Sequence, residues 1–308
     1  MNLVYLLFTP LNSIFSRISD FFSNDFPDIS FPLGEAADWI VTFLDENLEA
    51  FFDFIFFLTS RTINGIDDFL NWIPWWLFIL AIFVLGYFLQ SFLSGVLYAI
   101  FMFLVGTFGL WEEMMITIAI ILTAVVISIA IGIPTGIFMA LNRTFSAIMR
   151  PILDAMQTMP SFVYLIPVIF FFSLGNVPAV FATIIYAVPP VIRLTELAIR
   201  NVDQEVIESA QSFGSSRMQM LTKVQLPQAV PTIMAGVNQT TMMALAMAVI
   251  ASMVGAGGLG EQVLIAINRI DIVLGFEAGI SIVFLAIIID RLTASIGKRF
   301  QRDEEEQK

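Results

Sequence analysis

Neither cysteine nor histidine occurs anywhere in the 308 residues. The first absence excludes disulfides, thiolate nucleophiles and cysteine-type metal sites. The second excludes imidazole acid–base chemistry, Ser-His triads and histidine-ligated zinc. Charge is also scarce, at 13% of residues. No Gly-x-x-x-x-Gly-Lys-Ser/Thr segment is present, so the chain has no recognisable ATP-binding loop of its own. An intramembrane hydrolase would need a Ser-Lys or Asp pair within reach, and none is evident. What is abundant is apolar: 58% of residues are hydrophobic, with 31 Phe and 15 Met. A soluble core of this size could not hide so much apolar surface. Several runs approach the ~20 residues needed to cross a bilayer, which predicts an all-α membrane protein.

The net charge of −12 is unevenly spread. Residues 1–71 hold eleven acidic residues against only Arg17 and Arg61, a balance that disfavours nucleic acid or anionic lipid as a partner. Residues 1–8 are apolar but lack a basic flank, and no small-residue cleavage site follows, so they do not read as a cleaved signal peptide. Further along this acidic tail, Trp39, Ile40, Phe43, Leu44, Leu48, Phe51, Phe52, Ile55, Phe56 and Leu58 recur at helical spacing opposite acids. That pattern fits an amphipathic helix on the membrane surface or on the protein itself, or a partner-docking element.

About seven spans are expected, at roughly 72–92, 94–110, 114–141, 155–174, 177–192, 232–254 and 274–290. Pro160, Pro167, Pro189 and Pro190 predict kinked or short helices in the middle pair. If the spans alternate, eleven of the fourteen Lys and Arg residues fall on one side. The positive-inside rule makes that side cytoplasmic, which gives an N-out, C-in topology.

Residues 193–231 stay out of the membrane yet carry helix signals. Asp203 can cap a helix start, and Glu205 suits the positive end of its dipole. Val206, Ala210 and Phe213 form an apolar stripe at i, i+4 and i+7, and Gly214 suits a left-handed closing residue. Ser216 and Gln219 have capping-box spacing, restarting a helix with Met218, Leu221 and Val224 that runs to Pro227. This helix–Gly–helix elbow is either a connector under the bundle or a docking surface for a soluble partner.

Glu208-Ser209-Ala210, Gly214 and Val224-Gln225-Leu226-Pro227 resemble the EAA loop of the permease subunits of bacterial binding-protein-dependent ABC importers. The family pattern is usually Glu-Ala-Ala, three residues, Gly, nine residues, Ile-x-Leu-Pro; here Ser209 and Val224 depart mildly while the spacing holds. A narrower resemblance, to the glycine betaine/proline betaine branch, spans about residues 112–296. It rests on PILDAMQTMP at 151–160, FVYL at 162–165, KVQLP at 223–227, AGVNQT at 235–240, MMAL at 242–245, ASMVGAGGLG at 251–260, GFEAG at 275–279 and Asp290-Arg291.

The resemblance implies a type-1 ABC importer permease core at 112–296 containing a cytoplasmic coupling loop at 201–230. Two additional transmembrane helices at 72–111 and the acidic extracytoplasmic tail at 1–71 precede it, and a charged cytoplasmic tail at 297–308 follows. It also implies residence in the bacterial inner membrane and pairing with a second copy. A cytoplasmic ATPase subunit would hold the ATP and Mg, and an extracytoplasmic binding protein would deliver quaternary-amine osmoprotectants. This chain itself would be non-catalytic and bind no cofactor or metal. Choline, carnitine or an amino acid is the alternative cargo.

Two further segments are candidates. Asn238, Gln239, Thr240 and Thr241 are four successive polar residues inside a span, serving either as interhelical glue or as lining of the translocation pathway. Gly255, Gly257, Gly258 and Gly260 fit a dinucleotide fingerprint, but they follow a membrane helix and have no acid near residue 280. They read as a tightly packed outer turn. Trp75, Trp76, Tyr98 and Tyr164 are better explained as interfacial anchors than as a quaternary-amine cage. A stand-alone channel or carrier would need ion-coupling acids within the spans or an inverted repeat; Glu277 and Asp290 lie near span ends, and no repeat is evident.

Overall fold

The computed structural model describes residues 33–305; the apolar segment at 1–8 and the acids Asp20, Asp25 and Asp28 lie outside them. Every regular element among the described residues is helical. In chain order these are α1 (Leu33–Trp72), α2 (Trp75–Leu89), α3 (Phe92–Thr107), α4 (Trp111–Leu141), α5 (Arg143–Thr158), α6 (Leu165–Phe172), α7 (Asn176–Arg200), α8 (Gln204–Ser212), α9 (Arg217–Met220), α10 (Leu226–Ile250), α11 (Leu259–Arg269) and α12 (Ile272–Glu305). The chain divides into two compact units at Leu48/Glu49, where Leu48 has a non-helical φ of −122°. The helix expected over residues 39–58 is present within α1, and Trp39 stacks on Phe43 at 5.5 Å between ring centres.

In the second unit, four segments are long and apolar enough to cross a membrane alone: Trp111–Leu141, Asn176–Arg200, Arg217–Val254 and Ile272–Gly297. Two bent pairs raise the number to six if each is one span: Glu46–Trp72 with Trp75–Leu89, bent by 97°, and Arg143–Thr158 with Ser161–Phe172, bent by 112°. α3 is apolar but only 16 residues long. The expected span at 155–174 is therefore a broken one. Met159 precedes Pro160, and the proline ring drives it from the helical region to φ −69°, ψ 136°. The Tyr164 hydroxyl donates to the Met156 carbonyl across the bend.

The tandem prolines do not shorten their helix. α7 runs unbroken through Pro189 and Pro190. Each proline removes a backbone donor at an intrinsic penalty of ~3 kcal/mol, and tertiary packing overrides it because α4 and α10 both lie against this helix. The approach is close: a Cβ on Gly132 would fall 2.3 Å from Val191, and one on Gly136 2.6 Å from Thr195. Alanines 179, 182, 187, 244 and 248 are buried around the same helices. Small residues let helix backbones approach where lipid supplies no hydrophobic drive. α2 and α3 meet likewise, with Gly86 against Gly95. Gln90 donates to the Arg291 carbonyl at 2.8 Å and so ties this hairpin to α12.

Candidate functional site

The elbow assembles from local signals. The Asp203 carboxylate accepts from the Glu205 amide at 2.9 Å and opens α8. At the other end Gly214 has φ +78°, while Gly214 N–H donates to Gln211 at 2.9 Å and Ser215 N–H to Ala210 at 3.1 Å. This is a Schellman closure, which requires a left-handed residue at the glycine. Ser216 and Gln219 form the reciprocal capping box. Phe213 is 91% exposed and Met218 68%, so the bend carries two bare apolar side chains. Glu208, Ser209 and Pro227 are exposed as well, and Ala210, Val224 and Leu226 are half-buried.

The expected helix end at Pro227 is absent. The residues from Leu221 to Gln225 form a π-turn, and Leu226 N–H reaches back five residues to Leu221. Pro227 has no N–H and its ring would crowd the carbonyl four residues earlier; the wider turn relieves both problems. The second arm of the elbow thus continues into α10 as one body. Leu221 is buried with Ala198, Ile199, Ala229 and Ile233, with Leu226, Ile133 and Ile137 packed around them. The backbone therefore runs without a break from Met218 into α10.

α10 does not present its polar quartet as one surface. Asn238 Nδ2 donates to Asp290 at 3.1 Å, and the Thr293 hydroxyl donates to Asn238 Oδ1. Asn238 is thus bonded across to α12. Gln239 is exposed, on the same side as Ala235 and Ala246. Thr241 donates to the Val237 carbonyl at 2.8 Å, whereas the fully buried Thr240 hydroxyl has no partner.

The glycines at 255–260 pack closely against neighbouring helices. Gly257 N–H donates to Asn176 at 2.9 Å, and Leu259 N–H to Thr117 at 2.8 Å. Gly255 and Gly258 have φ of +82° and +93°. A Cβ on Gly258 would sit 2.4 Å from Thr117 Oγ1, and one on Gly260 2.8 Å from the Val249 carbonyl.

Sequence reasoning missed Glu196. It is buried on α7, where its Oε1 accepts from Ser146 at 2.6 Å and from Arg150 at 3.0 Å, both on α5. Arg200 lies 3.0 Å away and also donates to the Met139 carbonyl at the end of α4. Arg193 pairs with Asp154 beside it. The available signal was an acid in an apolar helix flanked by arginines three positions before and four after. This hub pins amphipathic α5 to the bundle. Glu196→Gln keeps the shape and removes the charge. Hydrogen bonds to charged groups contribute about 1.5–3 kcal/mol each, and Arg150 is more than half exposed, so the low end applies. Amide exchange across residues 143–158 is expected to quicken by about tenfold; unchanged exchange would assign the anchoring of α5 to its apolar face alone.

The family model for binding-protein-dependent transport system inner membrane components matches residues 132–302. The glycine betaine/proline betaine transport system permease protein ProW of Escherichia coli (strain K12) is 45% identical over 264 residues, covering 86% of this chain and 73% of that protein. The glycine betaine transport system permease protein OpuAB of Bacillus subtilis (strain 168) is 44% identical over 265 residues, covering 86% of this chain and 94% of its own length. Among solved structures, the MetNI methionine ABC transporter in inward-facing conformations superposes with a TM-score of 0.53 at 23% identity, covering 60% of this chain and 92% of that one. The shared fold is that of a type-1 ABC importer permease, and with a family match over more than half of its length the chain belongs to the inner membrane components of binding-protein-dependent transport systems.

Proposed function

We propose that the cargo is a glycine betaine/proline betaine-type quaternary amine, moved inward by ATP hydrolysis on a separate subunit. The observation that carries this reading is 44–45% identity, over 86% of the chain, to permeases named for those compounds. A cytoplasmic ATPase and an extracytoplasmic binding protein are the partners that this family requires. ATP and Mg reside on the ATPase, and this chain holds no cofactor or metal. A second copy completes the transmembrane unit, with the N-terminus outside and the C-terminus inside.

In this reading Glu208, Ser209, Ala210, Gly214, Val224, Leu226 and Pro227 form the coupling loop, and Phe213 and Met218 are its contact points on the ATPase. Closure of the ATPase pushes the elbow, and the unbroken path through the π-turn carries that push into α10. The outer turn at Gly255, Gly257, Gly258 and Gly260 belongs to the extracytoplasmic gate. Of the polar quartet, Gln239 lines the pathway, while Asn238 holds α10 to α12 and Thr240 and Thr241 sit within the bundle.

The quartet assignment has a distinguishing outcome. Asn238→Leu removes the donor to Asp290, while Thr293 keeps its bond to the Ile289 carbonyl at 2.8 Å, and lowers thermal stability by about 1 kcal/mol. Gln239→Leu leaves stability unchanged and lowers the uptake rate. Equal uptake in Gln239→Leu and wild type would remove the pathway role. The cargo itself is tested in proteoliposomes holding this chain, its ATPase and the binding protein. Glycine betaine should accumulate only with ATP on the ATPase side; ATP-independent uptake by the isolated chain, or uptake of other amines in its place, would overturn the assignment.

A further inference from the structure

A cavity of about 510 Å³ opens where three helix ends meet: the start of α2, the end of α3 and the start of α4. Its walls are of two kinds. Trp75, Phe103 and Trp111 supply aromatic surface over a floor that includes the buried Met102, and Glu112 and Glu113 supply carboxylates. No lysine or arginine lines it. Trp111 is held by an edge-to-face contact with Phe78 at 5.7 Å. Glu113 accepts from Gln262 at 3.3 Å, leaving the exposed Glu112 carboxylate to face water and the cavity mouth. Asp67 lies within Coulombic reach of Glu112, so the field at the mouth is negative.

Aromatic residues at helix ends serve as membrane anchors, and acids at a helix start complement its dipole. Neither role calls for a walled space between them. Aromatic faces combined with carboxylates, in a site without competing cations, are the chemistry that recognises an organic ammonium ion. We propose that this cavity takes the ammonium group of a phospholipid head group or of a free amine, primary or quaternary, at the extracytoplasmic surface of the membrane. The open wall supports access from outside the bundle, because Trp75 and Phe103 are each more than half exposed. The site is distinct from a route for betaines: their carboxylate is one carbon from the ammonium nitrogen and so is drawn up to Glu112 and Glu113, whereas the phosphate of an ethanolamine head group stands further off and can stay at the cavity mouth. It therefore stands or falls separately from the cargo assignment.

The test uses the purified full-length chain in detergent, read by intrinsic tryptophan fluorescence. It is titrated in parallel with choline chloride, short-chain phosphatidylethanolamine, short-chain phosphatidylglycerol and glycine betaine. Saturable changes are expected with phosphatidylethanolamine, choline or both, and none with phosphatidylglycerol or glycine betaine. A response to phosphatidylethanolamine alone identifies the lipid as the source, and displacement of it by choline shows that the ammonium group suffices. Glu112→Gln, an exposed near-isosteric change, should weaken binding by about tenfold with unchanged thermal unfolding. Absence of saturation with both ammonium compounds, equal response to phosphatidylglycerol, or wild-type binding by Glu112→Gln would overturn the proposal.

Discussion

Gly214→Asp is expected to abolish ATP-driven uptake while the protein remains in the membrane at normal levels. Gly214 adopts φ +78° and closes α8 through two backbone bonds. A non-glycine residue in that region costs about 1–2 kcal/mol, more than a nine-residue exposed helix can absorb without opening. The bundle does not depend on this bend, because space around Gly214 is open and no Cβ contact would form there. The lesion is therefore local: Phe213 and Met218 lose their fixed presentation, and in the proposed mechanism the path from the ATPase to Leu221 and α10 is cut. Glu208→Lys should do the same by reversing charge on the exposed face of α8, where the carboxylate accepts only from Gln204 at 3.3 Å. Uptake within twofold of wild type in either variant, with the ATPase still assembled, would remove the elbow from the coupling mechanism.

Gly258→Ala should be strongly destabilising. Its φ of +93° already disfavours any side chain, and the added Cβ would lie 2.4 Å from Thr117 Oγ1 and 3.0 Å from the Glu113 carbonyl. Thr117 is not free to move, since its hydroxyl donates to Glu113 at 2.7 Å and accepts from Leu259 N–H. Backbone strain of about 1–2 kcal/mol adds to overpacking of about 1–3 kcal/mol. The combined 2–5 kcal/mol is expected to appear as a large fall in the thermal inactivation temperature of the purified protein. Gly257→Ala is the control. Its backbone φ is not in the left-handed region, and its nearest neighbour would stand at 3.6 Å. Equal stability of the two variants would contradict the account of the outer turn.

These two sites show what the sequence makes legible. The elbow's caps are written within a few residues of one another, so Asp203, Gly214 and Ser216 could be read in order and appear with the expected geometry. The π-turn could not be read that way. Pro227 announces an interruption, but whether a helix stops or widens there depends on the packing of Leu221 and Leu226 against α4 and α7. The partners of the outer turn lie 81 and 142 residues away in Asn176 and Thr117, beyond any local pattern. Glu196 and its partners on α5 are 46 and 50 residues apart. The same distance effect explains Pro189 and Pro190, where neighbouring helices outweigh a local rule, and Pro160, where no such packing opposes it. Asn238 was legible as a polar residue in a span, but its partners Asp290 and Thr293 lie on another helix, 52 and 55 residues away.

In the proposed mechanism, work enters this subunit through the bend between α8 and α9. Because the chain has no cysteine, Met218→Cys introduces a single thiol at that bend. With a bifunctional reagent and a single cysteine placed in the coupling cleft of the ATPase, the account predicts a cross-linked permease–ATPase product. Its yield should change between nucleotide-free and ATP-trapped complexes. No product from Met218→Cys in an assembled, active complex, alongside labelling of that thiol from the extracytoplasmic side, would contradict it.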